Sequence, residues 1–229
     1  MLKTRALTEE QMDAEDLDPA TYARVLKDLA QVNTVTLARR PTLAFLNRVV
    51  ARSSSPLRIL DVGFGDGDML RRIARWAKAR GQAVDLVGID LNPRSAVTAR
   101  THTSASLPIT YRTGDYADLS DEPWDVILSS LVAHHMTQEQ LVTFLRFMDS
   151  QAQRGWFIND LHRHGFAYCG YPLLARIAGW HRIVREDGTL SIARSYRPQE
   201  WPPLLAEAGV TNARVFRTFP FRLCVEAIR

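Results

Sequence analysis

From residue 57 onward, short apolar runs alternate with stretches that repeat apolar residues every three or four positions. This alternation limits the fold more than any other feature of the chain. Runs at 57–62, 85–90, 109–113, 124–129 and 155–159 read as strands, and 68–80, 93–101 and 138–148 read as helices. The first of these helices sets Leu70, Ile73, Ala74 and Ala77 on one face, and Pro93 can open the second at its first turn. Strands that alternate with helices build right-handed crossovers and an open parallel sheet covered on both faces. A helix at 198–209, closed by Gly209, precedes strands at 212–219 and 221–228 that meet through Pro220. Two consecutive strands at the end of a parallel sheet require at least one of them to run antiparallel.

The segments outside this pattern read differently. Residues 8–52 are expected to form helices, with Thr8, Glu10 and Gln11 at the start and Pro41 as the break between two of them. Residues 53–56 (Ser-Ser-Ser-Pro) are expected to be a loop, which divides an N-terminal helical cap (1–55) from an α/β domain (56–229). Residues 161–197 exceed what a crossover needs and are expected to lie as a lid over the sheet's carboxyl edge. The formal net charge of +4 comes from scattered arginines, Lys3, Lys27 and Lys78 being the only lysines, and a nucleic-acid footprint would be a concentrated stripe. Two cysteines, Cys169 and Cys224, make no disulfide framework. No run approaches the length of uncharged apolar chain needed to span a bilayer, so a cytoplasmic location without membrane contact is expected.

Gly63, Gly65 and Gly67 stand between the first strand and the helix that follows it, where open α/β sheets bind ligands. Amides bared by glycine there, together with the positive end of a helix dipole, suit a carboxylate or phosphate. A dinucleotide fingerprint would place its third glycine at position 68, which is aspartate. The stretch Asp61-Val62-Gly63-Phe64-Gly65-Asp66-Gly67 instead resembles motif I of the class I S-adenosylmethionine-dependent methyltransferases. Three further motifs follow in order: Asp90-Leu91 after the second strand, Gly114-Asp115-Tyr116 after the third, and 124–130 (Trp-Asp-Val-Ile-Leu-Ser-Ser) as the fourth. The resemblance covers about residues 57–160 and 197–229, nearest to the small bacterial UbiE-like, type 11–12 group. It implies a Rossmann-like, seven-stranded, mostly parallel sheet with an antiparallel last strand and helices on both faces. It also implies S-adenosyl-L-methionine as cofactor, held by Asp61, Gly63, Gly65, Gly67, Asp90, Leu91, Asp115, Tyr116, Ser129 and Ser130.

A methyl acceptor that is protonated at working pH needs help to lose its proton, and histidine titrates in the right range. His134 and His135 follow the fourth strand and His162 the fifth, which makes these three the candidate catalytic residues. His164, Tyr168 and Tyr171 in the lid are candidate substrate contacts; His102 and His181 are expected at the surface. Asn159-Asp160 raises a magnesium-dependent scheme, but Ser129-Ser130 stand where that scheme wants a carboxylate, so no metal is expected. An aromatic lid favours a small aromatic or lipophilic acceptor, foremost for O-methylation of a phenol, quinol or polyketide-like ring. C- or N-methylation, an RNA substrate and a non-catalytic cofactor-binding protein are the alternatives. No Asn/Asp-Pro-Pro-Tyr step follows the fourth strand to favour RNA.

Overall fold

The computed structural model describes residues 2–49 and 56–229; Val50 and the expected loop at Ser53, Ser54 and Ser55 lie outside the described residues. Seven strands form one sheet: β1 (Leu57–Val62), β2 (Val84–Asp90), β3 (Ile109–Thr113), β4 (Trp124–Ser130), β5 (Ala152–Leu161), β6 (Arg214–Thr218) and β7 (Arg222–Ile228). Their order is β3-β2-β1-β4-β5-β7-β6. β7 runs antiparallel to both neighbours, and the other pairings are parallel. The expected seven-stranded mixed sheet is therefore the observed one. It reverses direction of growth at β1, whose Asp61 pairs with Gly88 on one side and Leu128 on the other.

Strand residues divide by the period of two that a pleated sheet imposes. Leu60, Val87, Ile127 and Ile158 face α5 (Gln138–Gln151) and α8 (Trp201–Ala208), around Trp124, Trp156 and Trp201. Ile59, Leu86, Val126 and Phe157 face the opposite layer of α2 (Arg39–Val49), α3 (Asp68–Lys78) and α4 (Pro93–Thr101). A third cluster joins α1 (Pro19–Val35) to α6 (Gly165–Ile177) and α7 (Arg182–Arg194) through Val25, Tyr171, Ile183 and Ile192. The segment expected to be a lid is thus a pair of helices, and the first N-terminal helix packs on it rather than on the sheet.

Two local expectations need correction. Residues 8–11 do not start a helix: Gln11–Asp13 make a single 3₁₀ turn, and α1 begins only at Pro19. Asp18 caps it, its Oδ1 accepting the amides of Ala20 (3.1 Å) and Thr21 (3.0 Å), and the missing N–H of Pro19 costs nothing at a first turn. Pro41 does not separate the helices either. It lies in the first turn of α2, where an amide would have no intrahelical partner, and the break falls at Leu37, with φ of 54°.

Phe45 on α2 is fully buried and stacks on Phe157 of β5 at 4.9 Å between ring centroids. Truncating a buried phenylalanine removes both transfer energy and packing, so Phe45→Ala should cost about 3–5 kcal/mol in urea denaturation. A loss below about 1 kcal/mol would mean that α2 does not share the sheet's core.

Candidate active site

The carboxyl edge of the sheet, α1 and the α6–α7 pair enclose a cavity of about 690 Å³. Its floor is the turn after β1. All three glycines there have positive φ, 76° at Gly63, 53° at Gly65 and 74° at Gly67, which a side chain would strain. A Cβ on Gly63 would meet Val132 Cγ2 at 2.3 Å, and one on Gly67 would meet Tyr111 Oη at 2.3 Å. The glycines are thus required by conformation and close approach. Their amides are not left bare for a ligand, as the sequence pattern suggests. Gly63 N–H donates to Ile89 O at 2.8 Å, Gly67 N–H to Phe64 O at 2.8 Å, and Gly65 N–H to Asp90 Oδ2 at 2.9 Å.

The free polar groups are side chains instead. Asp61 is 1% exposed, and its Oδ1 has no hydrogen-bond partner. Burial, with Asp68 and Asp90 nearby, raises its pKa well above the ordinary carboxyl range. Ser130 Oγ, Asn33 Oδ1 and the Nε and Nη1 of Arg222 are also buried and unpartnered, and all four residues line the same cavity. Native interiors leave few such groups, and four converging on one cavity mark a ligand site. Arg222 is 1% exposed and makes one hydrogen bond, Nη2 to Thr36 Oγ1 at 3.0 Å; burial lowers its pKa to about 10. Asp90 accepts the Gly65 and Asn92 amides, and burial raises its pKa.

Beyond β4, Leu131 turns the chain with φ of 62°, a conformation uncommon outside glycine, and the 3₁₀ turn Ala133–His135 follows. His134 is buried. Its amide donates to Asp160 Oδ2 at 2.9 Å, and its Nδ1 lies 2.7 Å from Asp160 Oδ1. Burial pushes the Asp160 carboxyl up, but His134 and the Leu161 amide outweigh that and leave it below the usual value. His134 Nε2 and His135 Nε2 both turn toward Glu10, at 3.6 and 3.8 Å. Glu10 accepts the Ser191 hydroxyl at 2.8 Å, and burial raises its pKa to about 7.

Of the residues expected in the site, Asp61, Gly63, Gly65, Asp90 and Leu91 line the cavity floor, and Tyr116 and Ser130 stand on either side. His134, His135 and Tyr171 line its far end. The rest do not reach it. Ser129 Oγ donates to Val62 O at 3.1 Å within the sheet, and exposed Asp115 caps the following turn by accepting the Ala117 amide at 2.9 Å. His164 accepts the Phe166 amide and stacks on Phe221, while Gly67 and Tyr168 lie outside the lining. His162 is buried against His164 and the arginines 217, 197 and 163; burial first and those charges next lower its pKa to about 4, so it is neutral near pH 7. Glu10, Asn33 and Arg222 escape sequence reasoning, because no local pattern connects residues so far along the chain from their partners across the cavity.

This strand order, with a ligand crevice at the point where the sheet reverses, defines the class I methyltransferase fold. Residues 59–155 match the model of a family described as methyltransferase domain. The plantazolicin methyltransferase BpumL, solved with SAH, superposes with a TM-score of 0.64 at 17% identity over 94% of this chain and 91% of that one. Human N-acetylserotonin methyltransferase with SAM gives 0.62 at 18% identity, over 94% of this chain and 59% of that one. Magnesium protoporphyrin IX methyltransferase from Synechocystis PCC 6803, with SAH, gives 0.53 at 16%, over 96% and 91%. No curated protein matches the chain in sequence. Among the described residues no helix is long and apolar enough to cross a membrane.

Asp61 supplies a test of the floor. A carboxyl whose pKa is raised in the folded protein favours folding below its ordinary value of about 4, and that contribution is lost as pH climbs through the folded value. In ligand-free protein, the melting temperature should therefore fall from pH 4 toward neutrality more steeply than in Asp61→Asn. The variant should bind SAH at least about tenfold more weakly in calorimetry. Parallel pH profiles and equal affinity would show that Asp61 carries no unpaired charge and holds no ligand.

Proposed function

We propose that the chain methylates an oxygen of a small, flat, lipophilic acceptor, a phenol, quinol or polyketide-like ring, held in the cavity beneath α1, α6 and α7. The observation that carries this reading is the cavity itself, whose volume falls in the range that encloses small organic ligands and whose few polar groups are unpartnered. The relatives in fold support it coarsely, since several are named as methyltransferases of small molecules. Two free thiols, Cys169 and Cys224, fit a cytoplasmic enzyme.

The donor fits the floor residues. Asp61 is a buried oxygen acceptor without a donor, suited to the cationic amino-acid end, and Asp90 and Leu91 lie where a ribose would rest. Gly114 and Tyr116 continue the lining toward β3 and are suited to the adenine. Bound S-adenosylmethionine supplies a sulfonium methyl group, whose loss leaves a neutral thioether. What the protein must add is alignment and exclusion of water, which contribute several kcal/mol when the reacting atoms are held in line.

On the acceptor side the wall residues divide into orienting and ionising groups. Tyr171 donates its hydroxyl to Val184 O at 2.8 Å, and Tyr22 shares a 2.8 Å hydrogen bond with Ser95; burial raises both pKa values, Tyr22 to about 12. Both phenols stay protonated and act as walls. Arg222 offers Nε–H and Nη1–H to an acceptor oxygen that carries negative charge. Glu10, with His134 and His135, lines the same cavity and is the group against which the acceptor hydroxyl ionises.

Thermal shift with SAH and with NADH tests the cofactor, and homocysteine release across phenols, quinols and amines tests the acceptor. SAH should stabilise the protein, and a phenol or quinol should turn over. Stabilisation by NADH alone would overturn the reading. Arg222→Gln should raise KM for an acidic acceptor by about tenfold, as expected for one lost charged hydrogen bond, with SAH affinity unchanged. Equal loss for neutral and acidic acceptors would remove Arg222 from acceptor binding.

A further inference from the structure

The group at the far end of the cavity brings three potential ligand atoms together. Glu10, His134 and His135 each present one nitrogen or oxygen, and these three atoms lie within 4.8 Å of one another. The two contacts to Glu10, 3.6 Å from His134 Nε2 and 3.8 Å from His135 Nε2, are too long for hydrogen bonds. They are close to the spacing of ligands around a common ion, since donors about 2.0–2.1 Å from a tetrahedral zinc stand about 3.4 Å apart.

The outward-facing nitrogens of both imidazoles are already held. His134 Nδ1 meets Asp160 Oδ1 at 2.7 Å, and His135 Nδ1 meets Asp13 Oδ2 at 3.1 Å. Each carboxylate accepts the Nδ1 proton and leaves the Nε2 lone pair pointing inward. On Glu10, Oε1 faces His134 Nε2 and also accepts the Ser191 hydroxyl at 2.8 Å, which fixes the carboxylate, while Oε2 faces His135 Nε2. A carboxylate behind each histidine is how metal-bound imidazoles are oriented, and here both have one. Charge agrees with this. Three carboxylates, Glu10, Asp13 and Asp160, surround the imidazoles. Arg194, 3.9 Å from Glu10, spends its donors on the carbonyls of Thr8, His134 and His135.

We propose that Glu10, His134 and His135 bind a divalent cation of zinc-like preference, with a remaining coordination position open to the cavity. Two nitrogens and one oxygen suit zinc, and three protein ligands with an open fourth position is the pattern of catalytic rather than structural sites. Resting on the reading of an oxygen acceptor, the site's role is to coordinate the acceptor hydroxyl. The cation lowers the hydroxyl's pKa, so that its proton is lost to solvent as the acceptor enters; the oxygen keeps the electron pair that forms the new bond to the methyl carbon while the carbon–sulfur bond breaks and its pair stays on the thioether sulfur. This departs from the expectation of a metal-free site, which considered only ligands following β4 and β5 and not the N-terminal segment that supplies Glu10.

The experiment titrates chelator-treated full-length protein with Co²⁺, followed by the visible bands of a low-symmetry four- or five-coordinate ion, and then with Zn²⁺ in calorimetry. One Co²⁺ per chain, displaced by Zn²⁺, is expected. His135→Ala and Glu10→Gln should weaken binding by at least about tenfold. Asp13→Asn, which keeps all three ligands and lies at a partly open position, should weaken it about 10–100-fold. His181→Ala, on the outer side of the lid, should leave it unchanged. Absence of the bands in the wild-type protein, or wild-type affinity in both Glu10→Gln and Asp13→Asn, would overturn the proposal. SAH binding is measured on the same samples: metal without SAH removes the methyl-transfer reading alone, and SAH without metal removes this inference alone.

Discussion

The pairing of β1 with a parallel strand on each side is the constraint on which the rest of the structure depends. Because β2 and β3 continue on one side and β4, β5 and β7 on the other, the chain leaves the carboxyl edge in opposite directions at β1. No side chain of the sheet can close the gap so opened. The positive φ of three glycines and the approach of Val132 to Gly63 follow from threading a tight turn through that gap. So does the placement of Asp61, a buried carboxyl without a donor. Such a group destabilises the empty protein, and its persistence is intelligible when a cationic ligand completes it.

Among the described residues, most of the buried polar groups left unpaired line one cavity, Arg163 Nε and Trp201 Nε1 being outside it. Asn33 comes from α1, Asp61 from β1, Ser130 from β4 and Arg222 from β7, and the four meet only because the helical N-terminal segment folds over the sheet edge. Elsewhere several buried charges have a charged partner. Asp66, for instance, takes Arg71 and His102 together, and Arg163 is paired with Glu200. The contrast separates charges that hold the fold from charges that await a ligand.

How much of this is legible in the sequence follows from the range of the interactions. Strands and their flanking helices are written in local periodicity, so β1 to β5 can be placed from the amino-acid pattern alone, and the four strand-end motifs locate the crevice. The pattern of glycines is a good guide to position and a poor one to use, because the Gly63 and Gly65 amides are taken by Ile89 and Asp90, which no local pattern relates to the turn. His134, His135 and His162 look alike as histidines beyond strand ends. Asp160 and Glu10 distinguish the first two, and one of those lies more than a hundred residues away. The N-terminal segment is least legible: Glu10 reads as a residue at a helix start, whereas it meets Ser191 of α7 and the histidines of the turn after β4.

That segment is also sewn down. Arg5 donates to the carbonyls of Arg194, His134 and Met136, Ala6 N–H donates to Ala193 O, and the Gln11 and Met12 amides donate to Asp187. Roof and wall of the chamber are therefore one fabric, stitched through a strap that also carries a residue of its polar end. Displacing the strap would break several of these stitches at once and withdraw Glu10 from the imidazoles.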